Sequence, residues 1–542
     1  MRRPRLAALA VGPLLVLVAG QNMAIGADGD PVRVTASARV TKEDLSPTRT
    51  YGAPYLAVDP ENPNVIVAAA PEMRTRACRF MRSLDAGRTW RLMDAFPNPQ
   101  SYPFCFHTSA TSTVSPIQFG RDGMVYYGLT GWDSGDLGVG AEVNFGNYSV
   151  LLARSSNLGE SWDPVVVRNA RGKVGRDTES NRPVTGLAVD HKTADQDIVY
   201  IGWNQQFPQA SPAVASQTTV AASTDGGRTF GEPVKVVGDY WKTGANKPDA
   251  EKWGGSSPSL TVGDDGTLYV VFTATATGQP AGTELNSLML GKSKDRGKSF
   301  EVSVIAPPSG FYQAPTTIAW SPEGGPEGSL HIAYEDKVAQ PALGDRDVFT
   351  RRSVDGGKTW SEGKQLNDDA VRTEGGHTQT NPAIDVAPNG RVDAVWWDFR
   401  NDNGLFINDV YHSYSEDNGA NWSKNVRVND RSIDRRIGVW SNGFDMRMPP
   451  GVASTNKLAV FMWDDTRNGD KNLQLQDAYA AVVQHEAVGS GSSNALRFAI
   501  AGLAGLGFVG VILLVVSMAT GRRRPRTDAA LEPSASEGRV ST

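Results

Sequence analysis

SVDGGKTW, residues Ser353 to Trp360, decides how the rest of the chain is read. A Ser and an Asp two residues apart can hydrogen-bond the backbone N–H groups of a tight turn. The Gly two residues further on supplies a positive φ that a side chain would disfavour. The closing Trp is a large apolar ring suited to burial between sheets. The octet recurs as SLDAGRTW from Ser83, SSNLGESW from Ser155, STDGGRTF from Ser223, SKDRGKSF from Ser293 and SEDNGANW from Ser415. Its acidic positions are Asp85, Asn157, Asp225, Asp295, Asp355 and Asp417, in steps of 72, 68, 70, 60 and 62 residues. Repeats of this length are supersecondary units stacked on one another. The row of carboxylates is therefore turn chemistry, and these residues are structural.

A fainter repeat lies upstream of each octet: a proline, an alternating strand, a polar turn, then a second strand ending in aromatic and polar residues. Its prolines are Pro54, Pro116, Pro183, Pro258, Pro315, Pro382 and Pro449, seven against six octets. After the seventh, Leu473 to Val483 matches a third strand with no octet behind it. Pro31 to Val40 alternates with period two and can supply the missing fourth strand, closing the ring and removing its open edges. The expected fold is all-β, a propeller of four-stranded antiparallel blades. Seven blades are favoured, and six remain the alternative.

The octets and the four-strand unit resemble the sialidase-like superfamily of Asp-box (BNR-repeat) β-propellers, over roughly residues 31–486. The resemblance implies either a sialidase-type glycoside hydrolase or a non-enzymatic binding propeller. Hydrolysis would need an arginine cluster to fork the substrate carboxylate, a Tyr nucleophile with a Glu, and an Asp acid/base. The family's Phe/Tyr-Arg-Ile-Pro motif is absent from the first blade, where Gly52 stands in YGAP; MRMP, with Arg447, has that form in the last blade. No Tyr–Glu pair can be placed, so no catalytic residue is assigned.

Strands alternate in direction, so the loops joining strands two and three share a face with the connections between blades. These are the long ones, and long loops on a rigid scaffold are where binding resides. The function is expected opposite the octets. Second strands deliver to that face Asp133, Asn204, Glu335, Asp336, and the segments WWDFRND from Trp396 and WDDTRNGD from Trp463. The candidate ligand-binding residues are Arg182, Glu335, Asp336, Asp398, Arg400, Arg447, Asp464, Asp465 and Arg467. The competing reading is that each Asp pairs with its nearby Arg and holds neighbouring blades together.

The ends carry targeting signals. Arg2, Arg3 and Arg5 precede an apolar run and a small-residue stretch, giving a signal peptide over residues 1–27. Residues 487–497 read as a flexible spacer. Phe498 to Thr520 is uncharged and long enough to span a membrane as a helix. Arg522, Arg523, Arg524 and Arg526 follow on the expected cytoplasmic side, and residues 521–542 form a disordered tail. The reading is a single-pass cell-membrane protein with its body outside and an extracellular glycan, peptide or protein ligand. A net charge of −5 gives no reason to expect nucleic acid. Cys78 and Cys105 are expected to pair in an oxidising compartment. No cofactor is implied, and the six histidines lie far apart without zinc spacing, so no metal site is expected.

Overall fold

The structure, a computed structural model, describes residues 24–25, 32–52, 54–74, 77–93, 116–131, 149–168, 180–206, 216–237, 253–256, 258–276, 286–309, 316–336, 346–369, 377–438 and 448–485. The spacer, span and tail, most of the signal segment, and Cys105, Asp133 and Arg447 lie outside these residues. Among the described residues no helix is long and apolar enough to cross a membrane. Cys78 is disulfide-bonded.

Seven antiparallel sheets follow one another along the chain. Blade six is representative: Gln379–Val386, Val392–Asp398, Ile407–Ser415 and Val426–Arg427 pair in sequence order. Its first strand is bulged between Thr380 and Ala383, where Asn381 has φ +52° beside Pro382. Blade seven takes Gly451–Ser454, Leu458–Asp465 and Asp477–His485 from the C-terminal end of the body. Its fourth strand comes from the other end: Val32–Val34 and Ala38–Arg39 both pair with Asp477–His485. The ring is thus a seven-bladed β-propeller closed by its N-terminal strand. Six octets suffice for seven blades because a blade whose fourth strand arrives from elsewhere needs no turn from strand three to strand four.

The core lies between blades. Ala57, Val67 and Phe80 of blade one pack with Ile117, Tyr127 and Leu151 of blade two. The closing seam joins Val460, Met462 and Val482 of blade seven to Leu56, Ile66 and Met81 of blade one, with Val40 and Tyr51 from the N-terminal segment.

The octets form the expected turns. In the third, Ser223 Oγ donates to Asp225 Oδ1 (2.7 Å) and accepts from Gly227 N (2.9 Å), while Thr229 donates from its N (2.9 Å) and its Oγ1 (2.6 Å). Burial would raise the Asp225 carboxyl, but these donors outweigh it and hold it at about 2. Asn157 keeps the geometry, accepting through Oδ1 from Ser155 Oγ and Ser161 N. The octets also do something the sequence did not disclose: their glycines abut the preceding blade. A Cβ on Gly87 (φ +82°) would lie 2.9 Å from Val460 in blade seven, and one on Gly159 would run into the Phe80 ring of blade one. Each octet is a turn and an inter-blade contact at once.

Candidate ligand-binding face

The second strands of blades six and seven end in the same device. In blade six Trp396 Nε1 donates to Asp398 Oδ2 (2.9 Å), and Asp398 accepts from Arg400 N (2.8 Å), Nε (3.0 Å) and Nη2 (2.8 Å). Arg400 Nη1 reaches Asp368 (2.9 Å), and its guanidinium lies 4.1 Å from the Tyr411 ring centroid. In blade seven Trp463 Nε1 donates to Asp465 (3.1 Å), and Asp465 accepts from Arg467 N (2.9 Å) and Nη2 (2.8 Å). Arg467 Nη1 reaches Asp430 (2.8 Å), and its guanidinium lies 4.2 Å from Tyr479. Asp398 and Asp465 are buried, and the two arginine side chains are only 13% and 11% exposed. Arg400, Asp398, Arg467 and Asp465, expected above as ligand contacts, pair with one another in the structure. Each guanidinium is already forked by a carboxylate and stacked on an aromatic ring.

Asp464 belongs to a different pair. Arg435, fully buried, donates Nη1 to Asp464 Oδ2 and Nε to Asn408 Oδ1 (2.8 Å), with its guanidinium 4.5 Å from the Trp397 ring centroid. Burial raises the Asp464 carboxyl, and the Arg435 charge opposes that rise. Among the described residues, Arg435 Nη2 and Asn408 Nδ2 are buried without hydrogen-bond partners. Sequence reasoning missed Arg435. The only available signal was an Arg-Arg pair after an Asp, which reads as solvated surface.

Glu335 is likewise paired within the fold. It accepts from Thr380 Oγ1 (2.7 Å) and Asn381 N of blade six and pairs with Arg346 (3.1 Å), fixing the blade-six bulge from blade five. Asp336 ends the same strand opposite Asp347. Arg182 lies in the bulged first strand of blade three; its side chain lies outside the described residues, as does Arg447. The structure therefore brings together Asp398 with Arg400 and Asp465 with Arg467, each arginine paired within its own segment.

Along the axis runs a cavity of about 200 Å³ lined by first strands, including Tyr55, Thr261, Trp320 and Asp385. Asp385 sits toward the octet end and accepts from Ser454 N (2.7 Å). Burial pushes its carboxyl up to about 6 and, with the Asp385 charge, the Tyr55 hydroxyl up to about 12. A carboxyl whose folded pKa exceeds its unfolded value favours the protonated form. Its penalty is absent below the unfolded pKa of about 4, grows as pH rises, and is complete above about 6. Asp385→Asn is thus expected to raise stability by about 2–3 kcal/mol at pH 7.5 and by nothing at pH 4, read from urea midpoints at both pH values. A gain independent of pH would exclude this origin.

A BNR repeat-like domain model matches residues 215–440. Among solved structures, the chain is similar to a protein of unknown function from Dyadobacter fermentans, with 13% identity over 84% of this chain and 100% of that one and a TM-score of 0.44. It is similar to the α-L-arabinofuranosidase of Fusarium graminearum, with 13% identity over 70% and 98% and a TM-score of 0.43. It is also similar to a Hadza microbial sialidase, with 12% identity over 77% and 75% and a TM-score of 0.41. No curated protein sequence matches it. Octet turns and a closed seven-bladed ring define an Asp-box propeller. Residues 215–440 thus match a BNR repeat-like domain, set within a seven-bladed β-propeller whose turns are Asp boxes.

Proposed function

We propose that the protein is a membrane-anchored extracellular propeller that binds a glycan on the face opposite the octets without hydrolysing it. The supporting observation is the neutralisation of Arg400 and Arg467. Forking a substrate carboxylate requires arginine donors free to face it, and these two are committed to Asp398 and Asp465. On the same face the connection from strand two to strand three of blade six presents Phe406, 43% exposed. Arg435 N binds the Phe406 carbonyl, and the exposed Arg436 follows in sequence. An open aromatic ring with polar groups around it suits a sugar, whose C–H face stacks while its hydroxyls hydrogen-bond. Residues 1–27 as an export signal and 498–520 as an anchor place this face outside the cell.

The test uses the full chain in detergent against immobilised acidic and neutral glycans and a fluorogenic sialoside. Saturable glycan binding, weakened about tenfold by Phe406→Ala with an unchanged melting temperature, is expected. Sialoside turnover is not. Turnover abolished by Arg400→Ala or Arg467→Ala would replace binding with hydrolysis. Capture of a protein but of no glycan would move the ligand to the other class.

A further inference from the structure

Third strands in six blades end on an octet serine: Ser83, Ser155, Ser223, Ser293, Ser353 and Ser415. The third strand of blade seven ends instead on His485. In the other seams an octet glycine covers the preceding blade, as Gly357 covers Leu290 and Gly419 covers His331. The seam between blades six and seven has no octet, and a polar cluster fills that place. His412 Nε2 lies 3.0 Å and His485 Nε2 3.4 Å from the same oxygen, Asp393 Oδ1. His412 and Asp393 have fully buried side chains, and the His485 side chain is 5% exposed. The three ligand atoms all lie within 4.8 Å of one another.

We propose that Asp393, His412 and His485 form a zinc site that joins blade seven to blade six where an Asp box is missing. Zinc bonds of about 2.0–2.2 Å at tetrahedral angles separate neighbouring ligand atoms by about 3.4 Å. The two contacts to Asp393 Oδ1 are already close to that spacing. Arg391 orients the carboxylate: its Nη2 donates to Asp393 Oδ2 (2.9 Å) and also to the Thr455 and Leu458 carbonyls of blade seven. Its Nε spans both carboxylate oxygens, 3.2 Å from Oδ1 and 3.1 Å from Oδ2, so the carboxylate is fixed in place with Oδ1 also facing the two imidazoles, as a supporting residue around a metal would do. A second observation is independent of the spacing. Neither ring nitrogen of His485 makes a hydrogen bond, although the side chain is almost wholly buried. A buried imidazole whose nitrogens make no well-formed hydrogen bond, with Nε2 3.4 Å from a carboxylate oxygen that a second imidazole also faces, suits a late first-row divalent ion. The histidines are 73 residues apart (485 − 412), which hid the pair from motif spacing.

Tag-free full-length protein, purified without added metal, is expected to carry close to one zinc per chain by elemental mass spectrometry. EDTA should lower the melting temperature, and zinc at a hundredfold excess over its Kd should raise it by about 3 °C or more. Cobalt substitution should give the intense visible bands of a tetrahedral ion. His485→Gln should abolish the stoichiometry, the shift and the bands, while Val32–Val34 still closes the ring. If that variant does not fold, the cobalt spectrum of the wild-type chain decides alone. A folded, metal-free wild-type chain indifferent to zinc and EDTA would show a hydrogen-bonded cluster only and overturn the proposal. A zinc response surviving His485→Gln would also overturn it, because the ion then sits elsewhere.

Discussion

Asp477→Ala is expected to destabilise the propeller by about 3 kcal/mol or more, with the N-terminal strand released first. Asp477 is fully buried at the start of the last strand and gathers the N-terminal segment around itself. Its Oδ1 accepts from Arg49 Nε (2.8 Å) and Thr41 Oγ1 (2.9 Å) and faces Arg39 Nη2 at 3.0 Å. Its Oδ2 accepts from Asn468 Nδ2 (2.7 Å). Removing one partner of a buried charge cluster leaves the others desolvated, which costs about 3–5 kcal/mol. Arg39 is 27% exposed and recovers some hydration, so the lower end applies. The short pairing of Val32–Val34 and Ala38–Arg39 is then insufficient to hold an edge. The check is a urea midpoint together with limited proteolysis near Arg33 and Arg39. A loss under about 1 kcal/mol, with the N-terminal strand still protected, would mean that apolar packing of Val40 and Tyr51 closes the ring without the latch.

The same residues explain how much of the fold was legible. The Ala-Arg-Val-Thr run at 38–41 repeats the Val-Arg-Val-Asn run at 426–429, the fourth strand of blade six. Both arginines face the Asp that begins or lies within the paired third strand: Arg427 meets Asp409 at 2.8 Å as Arg39 meets Asp477. Turn chemistry and period-two alternation are local, so octets, strands and ring closure could be read from the chain alone. The site was less legible because its outcome depends on partners brought from other blades. Trp396-x-Asp-x-Arg and Trp463-x-Asp-x-Arg announce themselves in sequence, but not whether the arginine faces a ligand or its own Asp. In the structure each arginine is turned to its own Asp and stacked on Tyr411 or Tyr479. Arg435 and the Asp393, His412 and His485 cluster had no local signature, because Asp464 and His485 reach them only across the seam between blades six and seven.

Arg435→Met is expected to cost about 4 kcal/mol at pH 7.5, and most of that should return when Asp464→Leu is added. The single change removes a fully buried guanidinium and leaves Asp464 charged in a site only 3% exposed. It also deprives Asn408 Oδ1 of its donor. The double change removes both charges from a space already walled by Trp397, and apolar replacements for a buried pair are often neutral or better. The pH dependence separates this account from simple loss of packing. With Arg435 gone, the largest opposition to the desolvation that already raises the Asp464 carboxyl is lost. The penalty of ionising it in the folded state is present above the raised pKa and disappears below the unfolded value of about 4. The single variant should therefore recover toward wild type as pH falls from 7.5 to 4.5, whereas a packing defect would persist at every pH. Denaturant midpoints of the wild type, both single variants and the double variant give the coupling energy. A coupling below about 1 kcal/mol would mean that Arg435 is held by Trp397 and Asn408 rather than by Asp464.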